Sequence, residues 1–348
     1  MSLLNLLLIF APLAILADLL HASPVLVFAF AALGVIPLAG LIGEATEELA
    51  THTGPRLGGL LNATLGNAAE LIITIFAIRA GLLELVKASI TGSILGNLLL
   101  VLGLSVVAGG IKNGRQRFDR TQAGLNGTML ILAVIAILVP SIFGHAIEPD
   151  HAAVEKLSLG VSLVMILVYG LGIFYSFSTG QADPLSHAPT HVTRWSVRTS
   201  LAVLLVSTLG IAWLSEVLVG SVDHVVDKLG WSEFFVGIII VPIVGNVAEH
   251  LVAVQVALKD RMELSLAISL GSSLQIALFV APVLVFVSLL MGNPMDLVFN
   301  VFELIALAGA SLIAALVALD GESNWLEGAQ LLVVYLILAI AFFFLPTG

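Results

Sequence analysis

Eleven runs of apolar residues, each near the ~20 residues a helix needs to cross a bilayer, constrain this chain more than any other feature. They cover residues 3–20, 24–50, 56–80, 83–110, 121–143, 155–178, 196–226, 232–258, 262–290, 297–318 and 325–346. In lipid only a helix or a closed barrel satisfies its own backbone, so runs of this length predict helices throughout. Turn-forming or charged residues separate them, among them Thr53-Gly54-Pro55, Lys112 to Arg120, Glu148-Pro149-Asp150 and Gly292-Asn293-Pro294. With 59% hydrophobic and 10% charged residues, too little polar side chain remains to cover a soluble core, where roughly a quarter of residues carry charge. A net charge of −10 without a basic stripe excludes nucleic acid as a partner. The absence of cysteine excludes disulfides and thiolate chemistry. The first run lacks the positive start of a signal peptide, and we expect it to be retained. The expected fold is an all-α polytopic membrane protein with 11 transmembrane helices.

Lys and Arg in short loops set orientation. With the N-terminus in the cytoplasm, the inner loops hold Arg56, Lys112, Arg115, Arg117, Arg120, Arg194, Arg198, Lys259 and Arg261. The outer loops hold Arg79, Lys87, Lys156 and Lys228. This asymmetry places the N-terminus and the polar stretch from Ser178 to Arg194 inside, and the C-terminus outside.

An internal repeat appears at an offset of 179 residues. Gly66-Asn67-Ala68-Ala69-Glu70 returns as Gly245-Asn246-Val247-Ala248-Glu249, and Gly92-Ser93 returns as Gly271-Ser272. From 66 to 99, eleven of 34 positions are identical, against about three by chance. The chain then divides into a first helix (1–23), a five-helix repeat (24–178), a cytoplasmic linker (179–195) and a second five-helix repeat (196–348). Five is odd, so the second repeat enters the membrane from the opposite side. Inverted repeats of this kind are shared by many secondary transporters.

Glu70 lies near the middle of the third run and Glu249 slightly past the middle of the eighth. An acidic side chain at mid-span costs ~2.5–3.5 kcal/mol on insertion scales. Bearing that cost twice, at repeat-related positions, points to an ion site. Asn67 and Thr74 share a helix face with Glu70, as Asn246 does with Glu249. Two carboxylates with amide, hydroxyl and carbonyl oxygens suit a hard divalent cation such as calcium, which takes six to eight oxygens. Gly66 and Gly245, the latter helped by Pro242, are expected to loosen their helices so that carbonyls turn toward the ion. Ser89, Ser93 and Asn97 form a polar stripe on the following helix, and Ser269, Ser272 and Gln275 a comparable one; of these, Ser93, Asn97, Ser272 and Gln275 are expected to join Glu70, Glu249, Asn67 and Asn246 in the metal site. Without the ion, two close carboxylates in low dielectric cannot both stay ionised. Calcium and protons then compete for the same oxygens, with at least two protons per calcium.

Ala45 to Ala50, Gly58 to Leu71 and Gly92 to Leu99 resemble the first signature of the calcium/proton exchangers of the calcium:cation antiporter superfamily. Pro242 to His250 and Gly271 to Phe279 resemble the second. The resemblance implies eleven spans, with Glu70 and Glu249 as the exchanging carboxylates. It places Asn67, Asn246, Ser93, Ser272, Gln275 and His250 around them. It also implies that spans two and seven slide to alternate access. The family's larger eukaryotic members carry an acidic cytosolic segment between the halves, whereas Ser178 to Arg194 contains one acid, Asp183. The form is therefore that of a prokaryotic inner-membrane protein.

Other residues admit two readings. Glu44, Glu47 and Glu48, with Glu216, Asp223 and Asp227, are either solvated helix ends or an acidic vestibule that concentrates cations. Glu216 lies deepest of the six. Glu84 and Glu263 begin helices, where an acid favours the positive dipole end. Glu303, inside the tenth run, has no repeat partner. Asn97 has Ile276 at its offset, with Gln275 one residue early. His250 is either a gating or pH-sensing group or a packing residue. His187 and His191 are four apart, but Pro189 between them breaks the helix a metal pair would need.

The expected function is secondary antiport, with Ca²⁺ the transported substrate, H⁺ the counter-ion and no organic cofactor. The partners are those two ions and the lipid bilayer; a homo-oligomer stays open. A sodium/calcium exchanger of the same fold is the alternative, and a divalent cation channel a further one. An intramembrane hydrolase would need HExxH, an aspartyl pair or a serine with a buried base, and none is visible.

Overall fold

The computed structural model describes residues 3–147, 151–179 and 194–345. Most of the expected linker, the pair His187 and His191, and the break Glu148-Pro149-Asp150 lie outside the described residues. Helices run in the order α1 (Leu4–Leu19), α2 (Pro24–Thr53), α3 (Pro55–Leu65), α4 (Ala68–Ala80) and α5 (Leu83–Asn113). Then come α6 (Arg120–Ile147), α7 (His151–Thr179), α8 (Val197–Gly220), α9 (Val222–Leu229) and α10 (Glu233–Leu258). The last are α11 (Met262–Leu290), α12 (Val301–Leu319) and α13 (Trp325–Phe343). Among the described residues the only strands form a two-stranded antiparallel bridge, β1 (Gln116–Arg117) against β2 (Glu322–Ser323).

Among the described residues nine helices are long and apolar enough to cross a membrane; the first and third expected spans are not among these nine. α1 is shorter, and the expected third span is two pieces, α3 and α4, broken at Gly66-Asn67. The break has a local cause. Gly58, Gly59, Asn62, Thr64, Gly66 and Asn67 crowd weak helix formers into ten residues. The repeat-related segment stays helical through Gly245 and Asn246, so the loosening expected at Gly245 does not occur. Irregularity there moves upstream into a π turn, Val236–Ile240. Pro242 comes two residues after it and lacks the N–H that would bond the Ile238 carbonyl, so the preceding turn widens. Two further π turns, Gly96–Val101 and Ile276–Val280, stand at repeat-related places in α5 and α11.

The chain gathers into two compact units, each drawing on both sequence repeats. The first comprises Met1–Ser89, Ala188–Glu249 and Phe342–Gly348. Within it α2 packs against α1, α3, α4 and, most extensively, α8. Gly34 permits this closeness, because an added Cβ would stand 3.0 Å from both the Ala11 backbone and Leu214 Cδ1. Small residues at crossings are how helices in lipid maximise van der Waals contact. The carboxylate of Glu48 accepts hydrogen bonds from Arg194 N at 3.1 Å and Trp195 N at 3.3 Å, just before α8 begins. Glu233 Oε1 accepts from Leu85 N at 3.1 Å.

The second unit comprises Ile90–His187 and His250–Ala341. There α6 packs against α7, α11 and α12, and α11 also packs against α5 and α7. Gln116 Nε2 donates to Ala257 O at 2.9 Å and Asp260 Oδ1 at 3.0 Å. Serine hydroxyls fasten the irregular segment before α12. Ser141 Oγ accepts from Phe299 N and donates to Leu297 O, both at 3.0 Å, while Ser158 Oγ accepts from Leu297 N at 3.0 Å. Every one of these loop contacts, in either unit, joins residues separated by an even number of crossings when α3 and α4 count together as one and the eight-residue α9 is not counted. That is the pattern a membrane requires of loops on one side.

Ser141→Ala leaves Phe299 N–H buried without its acceptor. An unmet buried donor costs about 1–3 kcal/mol, so we expect a lowered thermal unfolding midpoint in detergent, and little change for Thr128→Ala on exposed α6 surface.

Candidate ion site

The break at Gly66-Asn67 places Glu70 in the first turn of α4, with Asn67 as the residue that precedes the helix. An acid there meets the positive end of a new helix. Thr74 Oγ1 donates to the Glu70 carbonyl at 2.6 Å, so its hydroxyl is committed to its own helix. The Glu70 side chain is 4% exposed. Its carboxyl lies against the backbone of Gly245, where an added Cβ would be 3.3 Å from Cγ and 3.5 Å from Oε1. The role of Gly245 is therefore clearance for a carboxylate and not a break in its helix.

Asn246, the next residue, donates from Nδ2 to Pro242 O at 3.0 Å and hydrogen-bonds the Glu70 carboxyl through its side chain. One turn further along α10, half-buried Glu249 is near enough to act on Glu70 by direct charge interaction. The first unit thus brings together Glu70, Asn246 and Glu249, with buried Asn67 three residues before Glu70. Glu70 Oε1 is buried without a hydrogen-bond partner among the described residues. A carboxylate oxygen so placed needs a cation or a proton, since desolvated charge is otherwise prohibitive. Among the described residues no group of three or more His, Asp or Glu gathers as a metal cage. Two carboxylates and amide oxygens instead offer hard, oxygen-only ligands.

The second unit holds the other polar stripes. Ser93, Asn97, Ser272 and Gln275 are all buried. Asn97 sits inside the π turn Gly96–Val101, which packs against α11, and Gln275 immediately precedes the π turn Ile276–Val280. Both amides therefore sit at the start of a π turn, although one residue apart in register. His250 is half-buried, and its Nε2 has no hydrogen-bond partner among the described residues.

The outer acids separate by use. Glu44, Glu47, Asp223 and Asp227 are exposed. Glu216, expected to be the deepest, is also exposed and pairs with Arg79 at 3.9 Å. Glu48 is buried and committed to the backbone before α8. Lys87, expected in an outer loop, is 8% exposed within α5. Glu303 belongs to a capping box with Asn300 at the start of α12. The Asn-x-x-Glu spacing of such a box is visible in the sequence there, but the preceding segment reads as apolar span.

The likeness to known proteins extends over nearly the whole chain. The family model described as "Sodium/calcium exchanger protein" matches residues 23–178 and 199–344. A protein of Aphanothece halophytica named "Ca(2+)/H(+) antiporter" is 46% identical over 360 residues, covering 98% of this chain and 96% of its own. The solved structure of native YfkE superposes with a TM-score of 0.88 at 42% identity, covering 99% of this chain and 100% of its own. The H+/Ca2+ exchanger CAX shares the fold, with a TM-score of 0.76 at 16% identity and coverage of 98% and 91%.

Gly245→Ala is expected to displace the Glu70 carboxyl, seen as a shift of its band in isotope-edited infrared spectra. Gly43→Ala, where an added Cβ meets nothing within 4 Å, should leave that band in place.

Proposed function

Because the chain belongs to the sodium/calcium exchanger protein family, we propose that it is a secondary antiporter moving Ca²⁺ against H⁺ across a membrane. The observation that carries this reading is the buried Glu70 carboxyl, with one oxygen lacking a hydrogen-bond partner among the described residues and Asn246 and Glu249 beside it. That oxygen takes either a calcium ion or a proton. Two carboxylates that alternate between these occupants exchange at least two protons for each calcium, and so conserve charge to first order. The names of the 46% identical relative and of CAX support calcium and protons as the pair exchanged.

Each group then has a task. Glu70 and Glu249 hold the ion or the protons, and the amide oxygens of Asn67 and Asn246 complete the oxygen set. Ser93, Asn97, Ser272 and Gln275 are assigned to the passage of the ion. His250 comes directly after Glu249 in sequence and is assigned to proton coupling. Exposed Glu44, Glu47, Glu216 and Asp223 enrich cations near the openings, an effect that salt screens. Spans two and seven, α2 and α8, alternate access between the two faces. The excess of Lys and Arg in alternate loops supports an N-terminus in the cytoplasm and a C-terminus outside, in a prokaryotic cell membrane, with calcium exported.

Everted vesicles with an imposed pH gradient test the reading. We expect calcium uptake that collapses with a proton uncoupler. In Glu70→Gln or Glu249→Gln it should fall about tenfold or more, the equivalent of ~1.4 kcal/mol. Uptake that requires a sodium gradient instead of a proton gradient, or flux without any counter-ion gradient, would overturn it.

A further inference from the structure

Glu303 is a third buried carboxylate, and ion exchange as proposed leaves it without a task. It is 1% exposed, at the start of α12. Its Oε2 accepts from Asn300 N at 2.9 Å, and Asn300 Oδ1 accepts from Glu303 N at 2.9 Å. Capping alone does not require burial, because such boxes serve as well at a helix end in water. The second oxygen explains the burial. Thr91 Oγ1, on α5, donates to Glu303 Oε1 at 2.9 Å. A threonine inside a helix ordinarily turns its hydroxyl to the carbonyl three or four residues back, as Thr74 does. Thr91 leaves its own helix to reach a carboxylate on another. At the repeat offset of 179 residues Glu303 corresponds to Gly124 and Thr91 to Leu270, so this contact, which joins the two repeats, has no repeat-related counterpart.

The position of Thr91 gives the contact its consequence. At roughly 100° per residue, Ser93 and Ser89 each lie about 160° around α5 from Thr91, one on either side. Both hydroxyls therefore occupy the face opposite the one fastened to Glu303. Five residues beyond Thr91 the helix enters the π turn Gly96–Val101, against which α12 also packs. A π turn closes its hydrogen bonds over five residues instead of four, so it changes the rotation of the helical turns beyond it.

We propose that Glu303 is a positioning residue for cation transport: through Thr91 it fixes the rotation of α5, and with it the aim of Ser93 and Asn97. The inference rests on the assignment of Ser93 and Asn97 to the passage of the ion.

The test compares Thr91→Val, which keeps the shape and loses the hydroxyl, with Thr91→Ser, which keeps the hydroxyl. Calcium self-exchange across vesicles reads KM for calcium without any proton gradient, and competition with strontium reads selectivity. Thr91→Val should raise KM roughly fivefold or more and change the calcium-to-strontium preference. Thr91→Ser should stay near the wild type. Glu303→Gln retains an acceptor for Thr91 and should fall between the two. Combining it with Thr91→Val should add little. Thr91→Val with wild-type KM and selectivity would overturn the proposal, whether or not the folded yield falls. A wild type that self-exchanges calcium but ignores a pH gradient would sink the proton coupling and leave this inference standing.

Discussion

The Glu70 carboxyl against the Gly245 backbone is the contact on which the rest of the structure depends. A buried carboxylate is tolerated only with matching charge or hydrogen bonds. Here Asn246 supplies one hydrogen bond, Glu249 adds repulsion, and one oxygen has no hydrogen-bond partner among the described residues. Such a group cannot rest as a bare anion. In the proposed exchange it binds a proton or a metal ion, and because both would use the same lone pairs they would exclude one another. Exchange would then be a property of one pair of side chains, with no separate device to link the two fluxes.

The backbone around this contact is built irregularly. The first signature breaks its helix at Gly66-Asn67 and gives Glu70 a helix start of its own. The second keeps α10 whole and carries its irregularity in a π turn before Pro242. Two segments with the same Gly-Asn-x-Ala-Glu pattern thus supply different things. One gives a carboxylate at a positive helix end, and the other gives a smooth surface with a missing side chain on which that carboxylate lies. A pair of identical halves would present two glutamates in one setting, whereas these two differ in burial.

Much of the fold is legible in the residues alone. Span positions come from apolar length, and observed helix ends fall within a few residues of most of them because lipid leaves the backbone little other choice; the seventh run, 196–226, is the exception, since α8 stops at Gly220 and the short α9 follows. Glu70 and Glu249 stand out because acids at mid-span are costly. The features that stay hidden depend on long-range partners. Nothing local shows that Glu48 turns to the backbone of Arg194 and Trp195, or that Thr91 reaches Glu303, 212 residues away in sequence. Lys87 reads as a loop residue from its charge, yet it is buried in α5. The Asn-x-x-Glu spacing occurs in both halves and breaks the helix in one of them. The difference lies in the weak helix formers that crowd residues 58–67.

The central claim, that metal and protons compete for one pair of carboxylates, is tested most directly by proton release from the purified protein. Calorimetric titration with calcium in two buffers of unlike ionisation enthalpy gives the number of protons released per ion bound. Competition predicts release on binding, and an apparent calcium affinity that falls as pH is lowered. Calcium binding of the same affinity at every pH, with no proton released, would contradict it.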